Sequence, residues 1–138
     1  MIRFRELPED IHIKVSKLSD FFNKDSNIVF AYLFGGLLKD RQSPLSDVDI
    51  AVFVENIKKL NYLNFFNSAT NVLGTDEVDL IILNTSPLSL TGRILQNRRI
   101  IIDKNPFLRH RFESDVLRKF FDFRIKERDI LKRRYGIG

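Results

Sequence analysis

Three aspartates are the residues of this chain that are best placed to do chemistry. Asp47 and Asp49 are two positions apart at the start of an apolar segment, so on a strand both side chains point to the same face of a sheet. Two carboxylates so close repel each other unless a cation lies between them. Asp79 interrupts the apolar run Val78–Leu83, where a charged side chain needs a reason. We expect the three carboxylates to converge at one exposed end of a sheet.

The residue types restrict the metal that such a site would bind. Cysteine is absent, so any metal must be bound by oxygen or by histidine. His12 and His110 fall in predicted helices, and we expect each to be a surface or packing residue. Oxygen ligands beside a phosphate substrate favour Mg²⁺, which keeps waters and substrate oxygens in the rest of its octahedron. The sequence therefore predicts a magnesium site.

A Gly-Gly pair, Gly35-Gly36, follows the first apolar segment. Taken alone, each of these features has an ordinary structural explanation, since Asp and Gly are both common in turns. Their order along the chain is harder to explain without chemistry: strand, Gly-Gly, loop, Asp-x-Asp strand, helix, Asp strand.

The elements that must position these residues are predicted from hydrophobic periodicity. The predicted helices are Glu9–Asn23, Asn56–Leu73, Pro87–Gln96 and a long final helix that opens at Asn105-Pro106; the predicted strands are Asn27–Phe34, Val48–Val54, Val78–Leu83 and Arg99–Ile102. This pattern indicates an α+β (α/β) fold, with a small mixed β-sheet, helices packed on one side and a long C-terminal helix. At 138 residues and 43% apolar residues, we expect a single domain over residues 1–138.

The net charge of +5 suggests a polyanionic or acidic partner. From Arg118 to the end, eight Lys or Arg residues stand against three acids. Nucleic acid, a nucleotide and an acidic protein face fit this charge equally well. The first ten residues are unlike a signal peptide, and no apolar run reaches the roughly 20 residues that cross a bilayer. We expect a cytoplasmic protein that does not bind a membrane.

The ordered motif resembles the polymerase β-like nucleotidyltransferase superfamily. The match consists of Phe34-Gly35-Gly36, a gap of ten residues, Asp47-Val48-Asp49 and the distant Asp79. The short length and three further segments are most similar to its minimal nucleotidyltransferase (MNT) branch: Ser46-Asp47, Pro87 to Arg93, and Phe120 to Arg124. Members of that branch are commonly encoded beside an all-helical HEPN protein.

The resemblance implies the nucleotidyltransferase fold and a role for each carboxylate. Asp47 and Asp49 are implied to bind Mg²⁺. Asp79 is implied to bind the catalytic metal and to help deprotonate the attacking hydroxyl. All three are therefore the expected catalytic and metal-binding residues.

The resemblance also implies a nucleotide-binding set of Gly35, Gly36 and Lys39. Without side chains, the two glycines would let the backbone approach the triphosphate closely. Gly36 stands where many relatives have serine, and Lys39 stands where branch members often have arginine, which binds phosphate in a bidentate manner. We therefore expect modest affinity for the triphosphate.

The function implied by the resemblance is transfer of AMP from ATP, or of a nucleotide from another nucleoside triphosphate, to a hydroxyl of a HEPN toxin. The acceptor is expected to be a tyrosine, and the protein would act as an antitoxin in a homo- or hetero-oligomer. The alternative is a non-catalytic antitoxin that neutralises its partner by binding. A third hypothesis, direct nucleic-acid binding through Arg118–Arg134, depends on charge alone and is not expected.

Overall fold

The computed structural model describes residues 7–35 and 48–136, and within these ranges four strands form one sheet. In chain order the elements are α1 (Leu7–Lys24), β1 (Ile28–Phe34), β2 (Val48–Val54), a 3₁₀ turn (Ile57–Lys59), α2 (Tyr62–Leu73), β3 (Val78–Ile82), α3 (Leu88–Leu95), β4 (Arg98–Asp103) and α4 (Pro106–Tyr135). The strand order is β3-β2-β1-β4. β1 is antiparallel to β2 and β4, whereas β2 and β3 are parallel. The predicted mixed sheet and long C-terminal helix are confirmed.

Helices cover both faces of the sheet. β1 and β2 are apolar and buried at almost every position, as expected for strands that are covered on two sides. α1 and α2 contribute Leu18, Phe22 and Phe65 to the core on one face. α3 contributes Ile94 and Leu95 to the core on the other, and α4 packs against that same core. The prediction of helices packed mainly on one side is therefore wrong, because alternate residues of the central strands bury both faces.

The predicted helix Asn56–Leu73 is two elements. The Asn56 side chain accepts a hydrogen bond from the Lys58 N–H and caps the 3₁₀ turn, whereas the Asn61 side chain accepts one from the Asn64 N–H and caps α2. Asparagine favours such caps because its side chain satisfies a backbone donor that the first turn leaves unpaired. The backbone at Leu60, between the two elements, is extended.

α4 begins at the predicted Asn105-Pro106 pair, and its second half extends beyond the sheet. Asn105 caps it by accepting a hydrogen bond from the Leu108 N–H, and Pro106 occupies its first turn. Its first half packs against the sheet and α3, whereas every residue from 121 to 134 is exposed. None of the described helices is both long enough and apolar enough to cross a bilayer.

A buried ionic network joins α4 to β1 and β4. Glu113 of α4 accepts hydrogen bonds from the Tyr32 hydroxyl at 2.6 Å, from Arg98 at 2.8 Å and from Arg109 at 3.0 Å. Burial raises the pKa of Glu113, but these hydrogen bonds and the charge of Arg98 lower it more, so its pKa lies below the ordinary value. Burial and the neighbouring Glu113 raise the pKa of Tyr32, which keeps the phenol protonated as a donor.

Candidate active site

Asp49 and Asp79 lie side by side on neighbouring parallel strands. Asp49 of β2 is the register partner of Asp79 of β3, and the backbone N–H of Val48 donates to the carbonyl of Glu77 at 3.2 Å where the two strands begin. Neighbouring strands are roughly 5 Å apart, and register partners project to the same face of a sheet. The predicted adjacency of these two aspartates is therefore confirmed.

The turn after β1 lies at the same end of the sheet, where β2 and β3 begin. Phe34, the last residue of β1, pairs with Asp49, and the next residue is Gly35. Gly35 has a φ of +85°, and a Cβ atom built there would overlap Oδ2 of Asp49 and lie 2.9 Å from its Cγ. Glycine is thus required here both for its backbone conformation and for the close approach of the carboxylate.

The two aspartates differ in exposure. Asp49 is only 8% exposed, whereas Asp79 is exposed. The expectation of an exposed site is therefore wrong for Asp49, because β2 is a central strand and the turn at Gly35 lies against its side chain. Asp79 belongs to the edge strand β3, whose outer side leaves the carboxylate open to solvent. This site combines one sheltered carboxylate with one that a second molecule can reach.

Tyr62 lies close to Asp79, and its position was not predicted. Its hydroxyl donates a hydrogen bond to the Leu80 carbonyl at 2.8 Å, which joins the first turn of α2 to β3. Burial raises the pKa of Tyr62, and the charge of Asp79 raises it further. A contact between residues 18 positions apart in two different elements leaves no periodic signal in the sequence.

The other predicted site residues are Asp47, Gly36 and Lys39, and all three lie outside the described residues. Within residues 7–35 and 48–136, no group of three acidic or histidine side chains is arranged so that it could hold a metal ion. The structure thus brings together Gly35, Asp49 and Asp79. The metal-binding, catalytic and nucleotide-binding roles of the six residues stay predictions.

The donor chemistry of the described pair fits a hard cation. Two carboxylates at one sheet edge supply oxygen ligands, which Mg²⁺ prefers. Two adjacent negative charges also repel each other in the absence of a cation. An edge of this kind can bind a metal–phosphate complex and can accept a proton through the exposed Asp79.

A cavity of about 160 Å³ lies next to this edge. Its lining residues come from the end of β1 and from the α3–β4 segment: Phe34, Gly35, Leu90, Arg93, Ile94 and Asn97. In the sequence, Arg93 stands out only as the end of the family-like stretch Pro87 to Arg93, and no pattern singles out Asn97. These two residues come to lie beside Gly35 because the chain from the end of α3 into β4 passes the end of β1.

Solved structures of similar fold come from toxin–antitoxin complexes. A structure of the toxin–antitoxin MntA-HepT has a TM-score of 0.66 at 17% identity, covering 88% of this chain and 96% of the other. A toxin–antitoxin structure with AMP-PNP gives 0.68 at 18% identity, with 86% and 95% covered. A complex of a tri-AMPylated Shewanella oneidensis HEPN toxin with an MNT antitoxin gives 0.65 at 16% identity, with 88% and 95% covered. At these identities the likeness shows the fold.

Comparison with curated protein sequences finds no match. The family model described as polymerase beta, nucleotidyltransferase matches residues 16–107, which extend from α1 to the start of α4 and contain the whole sheet. That match covers two thirds of the chain and includes the Gly35 turn and both register-paired aspartates. The chain therefore belongs to the polymerase β nucleotidyltransferase family.

Proposed function

We propose that this protein is a magnesium-dependent adenylyltransferase that moves AMP from ATP to a hydroxyl, expected to be a tyrosine, on a HEPN toxin and thereby acts as an antitoxin. The observation that carries the proposal is the register pairing of Asp49 with Asp79 beside Gly35. The family supports nucleotide transfer in general. The proposal also includes AMP as the transferred group, a HEPN toxin as the partner, a single domain over residues 1–138 and a cytoplasmic location.

In the proposal the two described carboxylates have different roles, and their difference in exposure supports this division. Asp49, sheltered by the Gly35 turn, is suited to a fixed ligand position. Asp79 on the edge strand is open to solvent, so an acceptor hydroxyl can approach it. In the proposal, Asp47 completes the set that holds Mg²⁺. When bound, the ion would neutralise charge on the phosphates and would lower the pKa of the attacking hydroxyl.

The reaction requires a proton acceptor and a leaving group. Asp79 takes the proton of the acceptor hydroxyl, whose oxygen then forms a bond to the α-phosphorus of ATP. The bond between that phosphorus and the bridging oxygen breaks in line, and diphosphate leaves. Gly35 and Gly36 allow the backbone to approach the triphosphate, and Lys39 contributes positive charge.

The toxin partner is proposed from the family resemblance and from the kind of complexes in which the similar folds were solved. This chain has a surface that such a partner could cover. The second half of α4, residues 121–134, is exposed throughout and carries exposed apolar side chains: Phe121, Phe123, Ile125, Ile130 and Leu131.

The same surface favours a second candidate function, neutralisation of the toxin by binding alone. A helix whose apolar residues lack cover within the described chain fits a docking module as well as an enzyme. The paired aspartates argue for catalysis, because docking has no physical need for two adjacent carboxylates that repel each other.

The test is a mass measurement on the HEPN partner after incubation with this protein, Mg²⁺ and each nucleoside triphosphate in turn. We expect one or more AMP additions from ATP only, located on tyrosine by fragmentation, and none with Asp49→Asn or without Mg²⁺. A partner that is neutralised in cells but never gains mass would support the docking candidate and contradict the proposal.

A further inference from the structure

The 160 Å³ cavity beside Gly35 is lined by an arginine, Arg93, to which no role has yet been assigned. Its walls combine apolar side chains from Phe34, Leu90 and Ile94 with the polar groups of Arg93 and Asn97. Arg93 is exposed, and no ion pair or side-chain hydrogen bond links it to another described residue. Arg98 and Arg109 differ from it, since both are held by Glu113.

The cavity lies at the end of the sheet where Asp49 and Asp79 are located. Phe34 pairs with Asp49 of β2 on one side and with Arg98 of β4 on the other. Asn97 immediately precedes β4, so the chain leaving α3 arrives at this same edge. Gly35 is shared, because it lines the cavity and lies against the Asp49 carboxylate.

A close helix crossing keeps Arg93 near this edge. Gly92, the residue before it, packs against the ring of Phe120 in α4, and a Cβ atom at Gly92 would overlap that ring. Such contact lets α3 approach α4 more closely than a side chain would permit. The packing of α3 against α4 therefore holds Arg93 in place as one of the residues that line the cavity.

We propose that Arg93 binds the polyphosphate of the nucleotide, an inference that rests on the proposed function and deepens it. A triphosphate brought to a pair of carboxylates needs positive charge from the protein as well as from a metal. Guanidinium binds phosphate oxygens in a bidentate manner. A free arginine beside the glycine turn supplies that charge from the described part of the chain, independently of Lys39.

The test is calorimetric binding of three ligands to the purified chain with Mg²⁺: AMP-PNP, inorganic tripolyphosphate and AMP. We expect Arg93→Gln to weaken AMP-PNP and tripolyphosphate binding by the same factor, on the order of tenfold or more, and AMP binding by much less. Arg93→Lys should fall between the two proteins because it keeps the charge but loses the bidentate geometry. Arg111→Gln, which removes an exposed arginine beside Phe53 near the far end of β2, is the matched control and should leave all three affinities unchanged.

The outcomes separate this inference from the proposed function. Unchanged AMP-PNP binding in Arg93→Gln, alongside a wild-type protein that binds and transfers nucleotide, would overturn the role of Arg93 alone. A loss for AMP as large as that for AMP-PNP would also overturn it, since the contact would then be to the nucleoside or the α-phosphate. A wild-type protein that neither binds AMP-PNP nor transfers AMP would overturn both.

Discussion

The carboxylate of Asp49 lies directly against Gly35, the residue that follows β1. Gly35 has a φ of +85°, and its lack of a side chain leaves the space that Oδ2 of Asp49 occupies. The glycine motif and the aspartate motif, 14 positions apart along the chain, are therefore one structural unit. Gly35 turns the chain, and the turn shelters the carboxylate.

This contact predicts the effect of Gly35→Ala. The added methyl group would displace the Asp49 carboxylate, and a misplacement of about 1 Å near reacting groups can cost roughly 10²-fold in rate. We expect nucleotide transfer to fall by about that factor, measured as the initial rate of toxin labelling. Gly74→Ala is the control, because Gly74 has a similar φ of +73° but no atom within 4 Å of an added Cβ.

Both variants should lose about 1 kcal/mol of unfolding free energy from the strained φ. Only Gly35→Ala should lose activity. Equal activity losses in the two variants would assign the effect to backbone strain and remove the argument for close packing against Asp49.

The sequence predicted the strands of the site, and the positions of its residues on them, because each strand is marked by its own apolar run. Apolar runs mark the strands, and the Gly35, Asp49 and Asp79 spacing fits one sheet edge. The burial of Asp49 was not predictable, since it depends on how the turn folds back onto a neighbouring strand. The two-sided packing was missed because a continuous apolar strand indicates burial without saying which helices cover each face.

The network around Glu113 shows the same limit at longer range. Tyr32 and Glu113 are 81 positions apart, and nothing in the periodicity of β1 or α4 pairs them. From the sequence alone, Glu113 looks like an ordinary charged residue on a helix. Such a contact follows only from the order of strands in the sheet and the docking of α4.

Glu113→Gln should destabilise the fold. It removes the negative charge that faces Arg98 and Arg109, and breaking a buried ion pair typically costs about 3 kcal/mol or more. We expect a loss of that size in urea unfolding. Asp115, on the same helix, pairs with Arg118 and Lys119 at the surface. Asp115→Asn should therefore leave the stability nearly unchanged. Similar losses in the two variants would contradict the structural role of the network.

The same carboxylate predicts a pH dependence. The pKa of Glu113 in the folded protein lies below its ordinary value of 4.5, so folding favours the ionised form. The stabilisation is therefore complete above about pH 4.5 and is lost as the pH falls through the lower folded pKa. The difference in unfolding free energy between wild type and Glu113→Gln should be constant near neutral pH and shrink in acid. A difference that grows on acidification would show that the sign is wrong.

Asp79→Asn separates an enzyme from a docking module. Asp79 is exposed on the edge strand beside Asp49, so the near-isosteric amide should leave the fold intact. Removing a group that accepts the proton of the attacking hydroxyl typically costs at least roughly 10²-fold in rate. We expect toxin labelling to fall by that factor, whereas affinity for the toxin, which we assign to the exposed half of α4, stays at the wild-type value.

The control for Asp79→Asn is Asp76→Asn, which removes an exposed aspartate just before β3 and should change neither labelling nor affinity. Protection of cells from the toxin should then follow labelling and not binding, because Asp79→Asn keeps the complex but loses the chemistry. If Asp79→Asn binds the toxin, fails to label it and still protects cells as well as the wild type, contact alone neutralises the partner. The paired carboxylates would then serve a reaction other than toxin control.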